Sequence, residues 1–174
     1  MKKIKTPLNK SDIGKLKTRE DVFLTGTIYT ARDQAHKRMA EDIKKNKKLP
    51  FDLKNAVIYY CGPTKTPPGK IIGSCGPTTS RRMDELSPVL LGRGLLAMIG
   101  KGSRSKDVAD AIRKNKAVYF LALAGCGALL SRYVKSSKVV AYPELGPEAV
   151  FMLEVADFPL IVGIDANGKG VYKR

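Results

Sequence analysis

Short apolar runs alternate along the chain with stretches in which apolar residues return every three or four positions. These are the patterns of buried strands and of amphipathic helices. The runs predict strands over Val22–Thr27, Ala56–Tyr60, Lys70–Gly73, Leu95–Ile99, Ala117–Leu123, Lys138–Tyr142 and Leu160–Ile164. A helix is predicted over Ala31–Lys45, where Ala31, Ala35, Met39 and Ile43 recur at a spacing of four and Thr30 and Asp33 have the spacing of a capping box. Further helices are predicted over Arg81–Leu86, Pro88–Leu91, Lys106–Lys114 and Gly127–Tyr133. Ser87 before Pro88 has the form of an N-cap followed by proline at the first helical position. Asp165-Ala166-Asn167-Gly168 reads as a hairpin turn before a last strand at Val171. Strands alternating with helices predict an α/β domain.

Composition narrows the class. At 174 residues with 43% hydrophobic content, the chain can bury a real core and is not a disordered segment. No apolar run approaches the ~20 residues of a membrane helix. The N-terminus has charge but no apolar segment of a secretory signal, so a cytoplasmic location is expected. Residues 1–20 read as a polar, basic lead-in and residues 21–174 as the folded domain. The net charge of +16, from 32 Lys and Arg against 16 acids, asks for an anionic partner, substrate or nucleic acid. Much of it lies between Lys2 and Arg19 and between Lys44 and Lys48, the latter suiting a helix C-terminus. No zinc-finger spacing, aromatic-rich strand motif or tryptophan accompanies the charge, which argues against nucleic acid and for a basic site mouth or a partner-facing surface.

Two segments carry candidate chemistry. From Gly73 to Asp84 the chain reads Gly-Ser-Cys-Gly-Pro-Thr-Thr-Ser-Arg-Arg-Met-Asp, with Gly100-Lys101-Gly102 following. A Gly-Pro turn lets backbone approach a ligand, hydroxyls suit a helix N-cap that collects anions, and arginines offer forked donors to a carboxylate. The second segment, Thr25 to His36, places Arg32 at the start of a helix, where the positive dipole end disfavours it unless an anion binds there. His36, the one histidine, follows Arg32 by one turn.

These segments resemble the β subunit, equivalent to the C-terminal domain, of the class I iron–sulfur fumarate hydratases and the related L(+)-tartrate dehydratases. The matching pieces are Thr25-Gly26 with Ala31-Arg32-Asp33-x-Ala35-His36, then Gly76-Pro77-Thr78-Thr79-x-x-Arg82-Met83-Asp84, then Gly100-Lys101-Gly102. Glu144 to Val150 and Asp157-Phe158-Pro159 complete them. The resemblance implies an α/β fold of the swivelling β/β/α type. It also implies a hydro-lyase that interconverts (S)-malate and fumarate by trans addition or loss of water. Its 4Fe-4S cluster acts as a Lewis acid on the departing hydroxyl and is bound by an α partner, in a heterotetramer of two α and two β chains. By the same resemblance Arg32 and Arg82 bind carboxylate oxygens of a C4 dicarboxylate, and Lys101 supplies a point charge. Thr78 lies near the reacting carbon for proton transfer, Gly76 and Thr79 supply hydrogen bonds, His36 supports Arg32 from behind, and Asp33 is a further residue that supports the site without touching substrate. A threonine hydroxyl is a poor base unaided, so another group, on the partner, would activate it. No role is carried over to Arg81.

Cys61, Cys75 and Cys126 are spaced by 14 and 51 residues, without a Cys-x-x-Cys. They match no cluster motif and read as free thiols, with no metal site expected in this chain. L(+)-tartrate dehydratase is the alternative activity. A basic anion- or nucleic-acid-binding protein is the alternative of another class.

Overall fold

The computed structural model describes residues 2–172; Met1, Lys173 and Arg174 lie outside the described residues. Four strands, β2 (Asp21–Thr30), β3 (Val57–Tyr59), β4 (Ala97–Gly100) and β5 (Val118–Leu121), run parallel in that order. The long strand β7 (Val150–Ile164) is antiparallel and pairs with both β5 and β2. The pairings β2-β3-β4-β5-β7-β2 therefore close a five-stranded barrel. The α/β expectation holds at this level. β1 (Lys2–Lys5) extends the ladder parallel to β2, and β6 (Val134–Ala141) lies antiparallel on β7.

Length explains how β7 serves so many partners. One of its edges meets β2 from Tyr29↔Met152 to Asp21↔Ile161, while the other meets β6 near Val150–Val155 and β5 near Ile161–Ile164. Its buried Leu153, Val155, Phe158, Leu160 and Val162 fill the interior with Leu24, Ile28, Tyr59, Ile99 and Phe120. Helices α2 (Asp33–Lys44), α3 (Ser87–Gly92) and α4 (Lys106–Asn115) follow β2, precede β4 and follow β4 respectively. Ser105 caps α4 by accepting from the Val108 amide at 3.3 Å. Two short helices, α1 (Lys10–Gly14) and α5 (Gly127–Leu130), complete the set.

Several expectations are corrected. The stretch expected as a polar, basic lead-in over residues 1–20 packs on the domain within its described part: Ile4, Leu8, Ile13 and Leu16 are buried, and β1 pairs with β2. Lys70–Gly73 forms no strand, because its loop pairs with itself, Thr64 N to Ser74 O at 3.0 Å and Ser74 N to Thr64 Oγ1 at 2.9 Å. Arg81–Leu86 is a 3-10 turn over Ser80–Met83, too short for an anion-collecting helix end. Ser87 sits inside α3 rather than at its cap, and its hydroxyl donates to Met83 O at 2.7 Å. The capping box does not form either. Thr30 Oγ1 bonds across to β7, accepting from Phe151 N at 3.0 Å, and Arg32 occupies the cap position without a side-chain bond. Gly127–Tyr133 is split into α5 and a 3-10 turn. The hairpin at Asp165 forms, Gly168 N donating to Asp165 O at 2.8 Å, but the last strand reduces to a single bridge between Ile164 and Gly170.

Candidate active site at the carboxyl ends of the parallel strands

Parallel strands bring their carboxyl ends to one rim. Arg32 follows β2, Tyr60 to Gly62 follow β3, and Lys101 and Gly102 follow β4. Two strand spacings separate the backbones of Arg32 and Lys101, ~10 Å.

The Gly76–Ser80 segment crosses this rim. The Thr78 amide donates to Tyr60 O at 2.6 Å, Thr79 bridges Lys101 in parallel register, and the Ser80 amide donates to Lys101 O at 3.0 Å. Thr78, Thr79 and Lys101 are thereby fixed by main-chain bonds, leaving their side chains free for other work. Gly100 makes this possible: a Cβ there would collide with Ser80 Oγ and come within 2.9 Å of the Tyr60 ring. Gly76 also serves packing. It faces Gly127, where a Cβ on the latter would lie 2.7 Å from Gly76 N. Thr79 and Lys101 border an open depression of about 380 Å³ with Gly102, Leu121, Leu123 and Tyr172.

The two arginines differ. Arg32 Nε donates to Glu148 Oε1 at 3.0 Å, and no other partner of its guanidinium is found among the described residues. Its end-on pair of nitrogens is thus open to an anion. Gly62 keeps room for it, since a Cβ there would lie 2.9 Å from Arg32 Cζ. Arg82 instead spends its side-on fork on Asp33, with Nε to Oδ1 at 3.0 Å and Nη2 to Oδ2 at 2.6 Å. Burial pushes the Asp33 carboxyl up, but the Arg82 hydrogen bond and the charges of Arg82 and Arg32 outweigh it and hold it below the ordinary value. Asp33 therefore braces Arg82. Arg81 is exposed, with no partner among the described residues.

His36 is fully buried behind Arg32. Its Nδ1 lies 3.1 Å from Arg32 O, and its ring stands edge-on to Tyr60 at 5.1 Å. A carbonyl only accepts, so Nδ1 carries the proton and Nε2, which has no partner, is the bare nitrogen. Burial first, and then the charge of Arg104, lower its pKa from 6.5 to about 4, against the raising effects of the Arg32 carbonyl and Asp33. The unfolded chain binds this proton at the higher pH. Stability is accordingly lost as pH falls from 6.5 towards 4, by on the order of 3 kcal/mol from His36. Urea unfolding across this range should show a slope that is shallower in His36→Asn than in the natural chain; equal slopes would remove His36 as its source.

Sequence reasoning missed three partners. Glu148 holds Arg32, Glu144 pairs with Arg38, and Arg104 lies buried on Asp84. The signal for the first two was present in the motif from Glu144 to Val150. Asp84 likewise stood in the Arg-Met-Asp motif, but nothing local pointed to Arg104.

The chain matches, over residues 2–174, the family model described as Fumarase C-terminus, and it belongs to that family. It is 42% identical over 173 residues to a Methanocaldococcus jannaschii protein provisionally named L(+)-tartrate dehydratase subunit beta, covering 96% of this chain and 89% of that one. Against the anaerobic class I fumarate hydratase of Escherichia coli it is 42% identical over 153 residues. That match takes in 87% of this chain but spans only 28% of the relative. The L(+)-tartrate dehydratase subunit beta of Escherichia coli is 33% identical over 177 residues, covering 98% of this chain and 87% of that protein. The chain is thus a hydro-lyase domain of the β-subunit type.

Class I fumarate hydratases imply an iron–sulfur cluster, and the residues here do not fit one. Among the described residues no group of three or more His, Cys, Asp or Glu could hold a metal. Cys61 and Cys75 are buried, burial pushing the Cys61 thiol well up and the Cys75 thiol up to about 11. Neither is poised as a thiolate ligand.

Proposed function

We propose that this chain is the β subunit of a two-subunit iron–sulfur hydro-lyase acting on a C4 dicarboxylate, with (S)-malate and fumarate as the substrate pair. What supports the reading is that Arg32 and Lys101 follow β2 and β4 at the same end of the parallel sheet, with Thr78 bonded to Tyr60 O after the strand between them and Arg32 held by Glu148. In this reading the cluster belongs to an α subunit that covers the rim, two α and two β chains assemble in the cytoplasm, and the domain is of the swivelling β/β/α type.

The proposed division of labour is as follows. Removing a proton beside a carboxylate drives charge onto that carboxylate, and fixed cations aimed at it lower the barrier. Arg32 grips one carboxylate through its free end-on nitrogens. Lys101, two strands away, neutralises the other. Thr78 presents its hydroxyl between them and moves the proton once a group of the partner activates it. Thr79 and the backbone at Gly76 contribute hydrogen bonds. Arg82, anchored on Asp33, reaches substrate through its remaining nitrogen.

L(+)-tartrate is the second reading, favoured by length. The relatives that this chain nearly spans, at 89% and 87%, carry the tartrate dehydratase name. Co-expression with a cysteine-bearing α subunit, followed by anaerobic assay on malate and tartrate, separates the two. The isolated chain is expected to be folded, inactive and without cluster after iron–sulfide treatment. A stoichiometric cluster with turnover in the isolated chain would falsify the reading.

A further inference from the structure

Beneath the rim lies a buried cation that the chemistry above does not use. Arg104 follows Lys101 by three residues, and its side chain is wholly inaccessible to solvent. Its Nε donates to Asp84 Oδ1 at 2.6 Å and its Nη2 to Ser87 Oγ at 2.7 Å. Asp84 is held in turn by the Ser105 amide at 2.5 Å. The guanidinium lies between two aromatic faces, with Cζ 5.2 Å from the Tyr60 ring centre and 5.0 Å from that of Tyr119. Desolvation is costly for such a charge unless every donor and face is matched.

Both tyrosines reach the candidate site. Tyr60 holds Thr78, whose amide donates to its carbonyl at 2.6 Å, and its ring meets His36 behind Arg32. The Tyr119 hydroxyl lies 3.0 Å from Gly102 O and 2.9 Å from Ser80 Oγ. Its single proton goes to the carbonyl, which cannot donate, and its oxygen accepts from Ser80. Ser80 and Gly102 flank Thr79 and Lys101, the bridged pair.

We propose that Arg104 is a positioning residue for the reaction, clamping Tyr60 and Tyr119 and through them setting Thr78 and Lys101 against the substrate. The inference rests on the function proposed above. Arg104 touches neither substrate nor solvent. It acts by fixing where the proton-transfer hydroxyl and the cation stand, so its loss lowers kcat more than it raises KM, because Arg32, at the start of α2 and held by Glu148, still binds substrate.

The test uses the complex with the α subunit. Tyr119→Phe keeps the ring and the packing but removes the hydroxyl that holds Ser80 and Gly102, so it spares the fold better than any change at Arg104. It should lower kcat by about 10-fold, with KM within about 3-fold. Ser80→Ala should do the same, and the double variant should lose no more than either single one. Arg104→Lys, which keeps charge but not the fork, should show the same split. The proposal is overturned if Tyr119→Phe and Ser80→Ala keep kcat within about 2-fold while Lys101→Ala loses turnover, or if their losses add. If Lys101→Ala also keeps full turnover, the proposed function itself fails and takes this inference with it.

Discussion

Lys101→Ala and Arg32→Ala, each assembled with the α subunit, are expected to lower kcat/KM by roughly 10- to 150-fold. That range corresponds to losing one charge-assisted interaction of ~1.5–3 kcal/mol. The two should differ in kind. The Lys101 backbone is held by the Thr79 bridge and the Ser80 amide; in the proposed function its loss removes a charge aimed at the transition state and should appear in kcat. In the proposed function Arg32 binds substrate through its unpaired end-on nitrogens, so its loss should appear in KM as well. Arg82→Ala should be milder than Arg32→Ala, since its fork already sits on Asp33, and Arg82→Lys cannot rebuild that two-point grip. Arg81→Ala, exposed and adjacent, is the control and should match the natural enzyme. Steady-state kinetics on malate and tartrate decide it. An essential Arg81 beside a dispensable Arg82 would shift the motif register by one residue, and full activity in all four alanine variants would leave the rim without a catalytic part.

The motifs were legible because their chemistry is local. Gly76-Pro77-Thr78-Thr79 and Gly100-Lys101-Gly102 could be picked out as a turn and a strand end before any contact was known. The closing of the barrel was not legible, because β7 changes its partner on one edge from β6 to β5 along its length and its two apolar runs, Val150 to Leu153 and Phe158 to Ile164, are separated by Glu154 and Asp157. The capping box at Thr30 failed because a long-range bond to Phe151 competes for the same hydroxyl. Lysines at positions 2, 3 and 5 disguised Ile4, whose burial against the sheet makes the N-terminus part of the domain. Partner choice was the hidden variable throughout. A carboxylate such as Glu148 shows its charge in sequence but not that Arg32, 116 residues away, is what it holds.

Stability provides the sharpest contrast between charges that look alike in sequence. Asp84→Asn preserves shape but removes the counter-charge of Arg104, whose side chain has no access to water. An unpaired buried cation costs about 3–5 kcal/mol, so thermal unfolding of the purified chain should begin ~6–20 °C lower. Asp110→Asn removes an acid that pairs with Lys106 at 4.0 Å and Arg113 at 3.4 Å on the exposed face of α4. Solvent screens those charges, so no measurable change is expected there. The double variant Asp84→Leu with Arg104→Met should recover much of the loss, because desolvation of both charges is then avoided. It should not recover kcat, because methionine cannot clamp Tyr60 and Tyr119 as the guanidinium does. An Asp84→Asn chain within about 1 kcal/mol of the natural one would mean that water reaches Arg104, and the buried clamp would be no clamp at all.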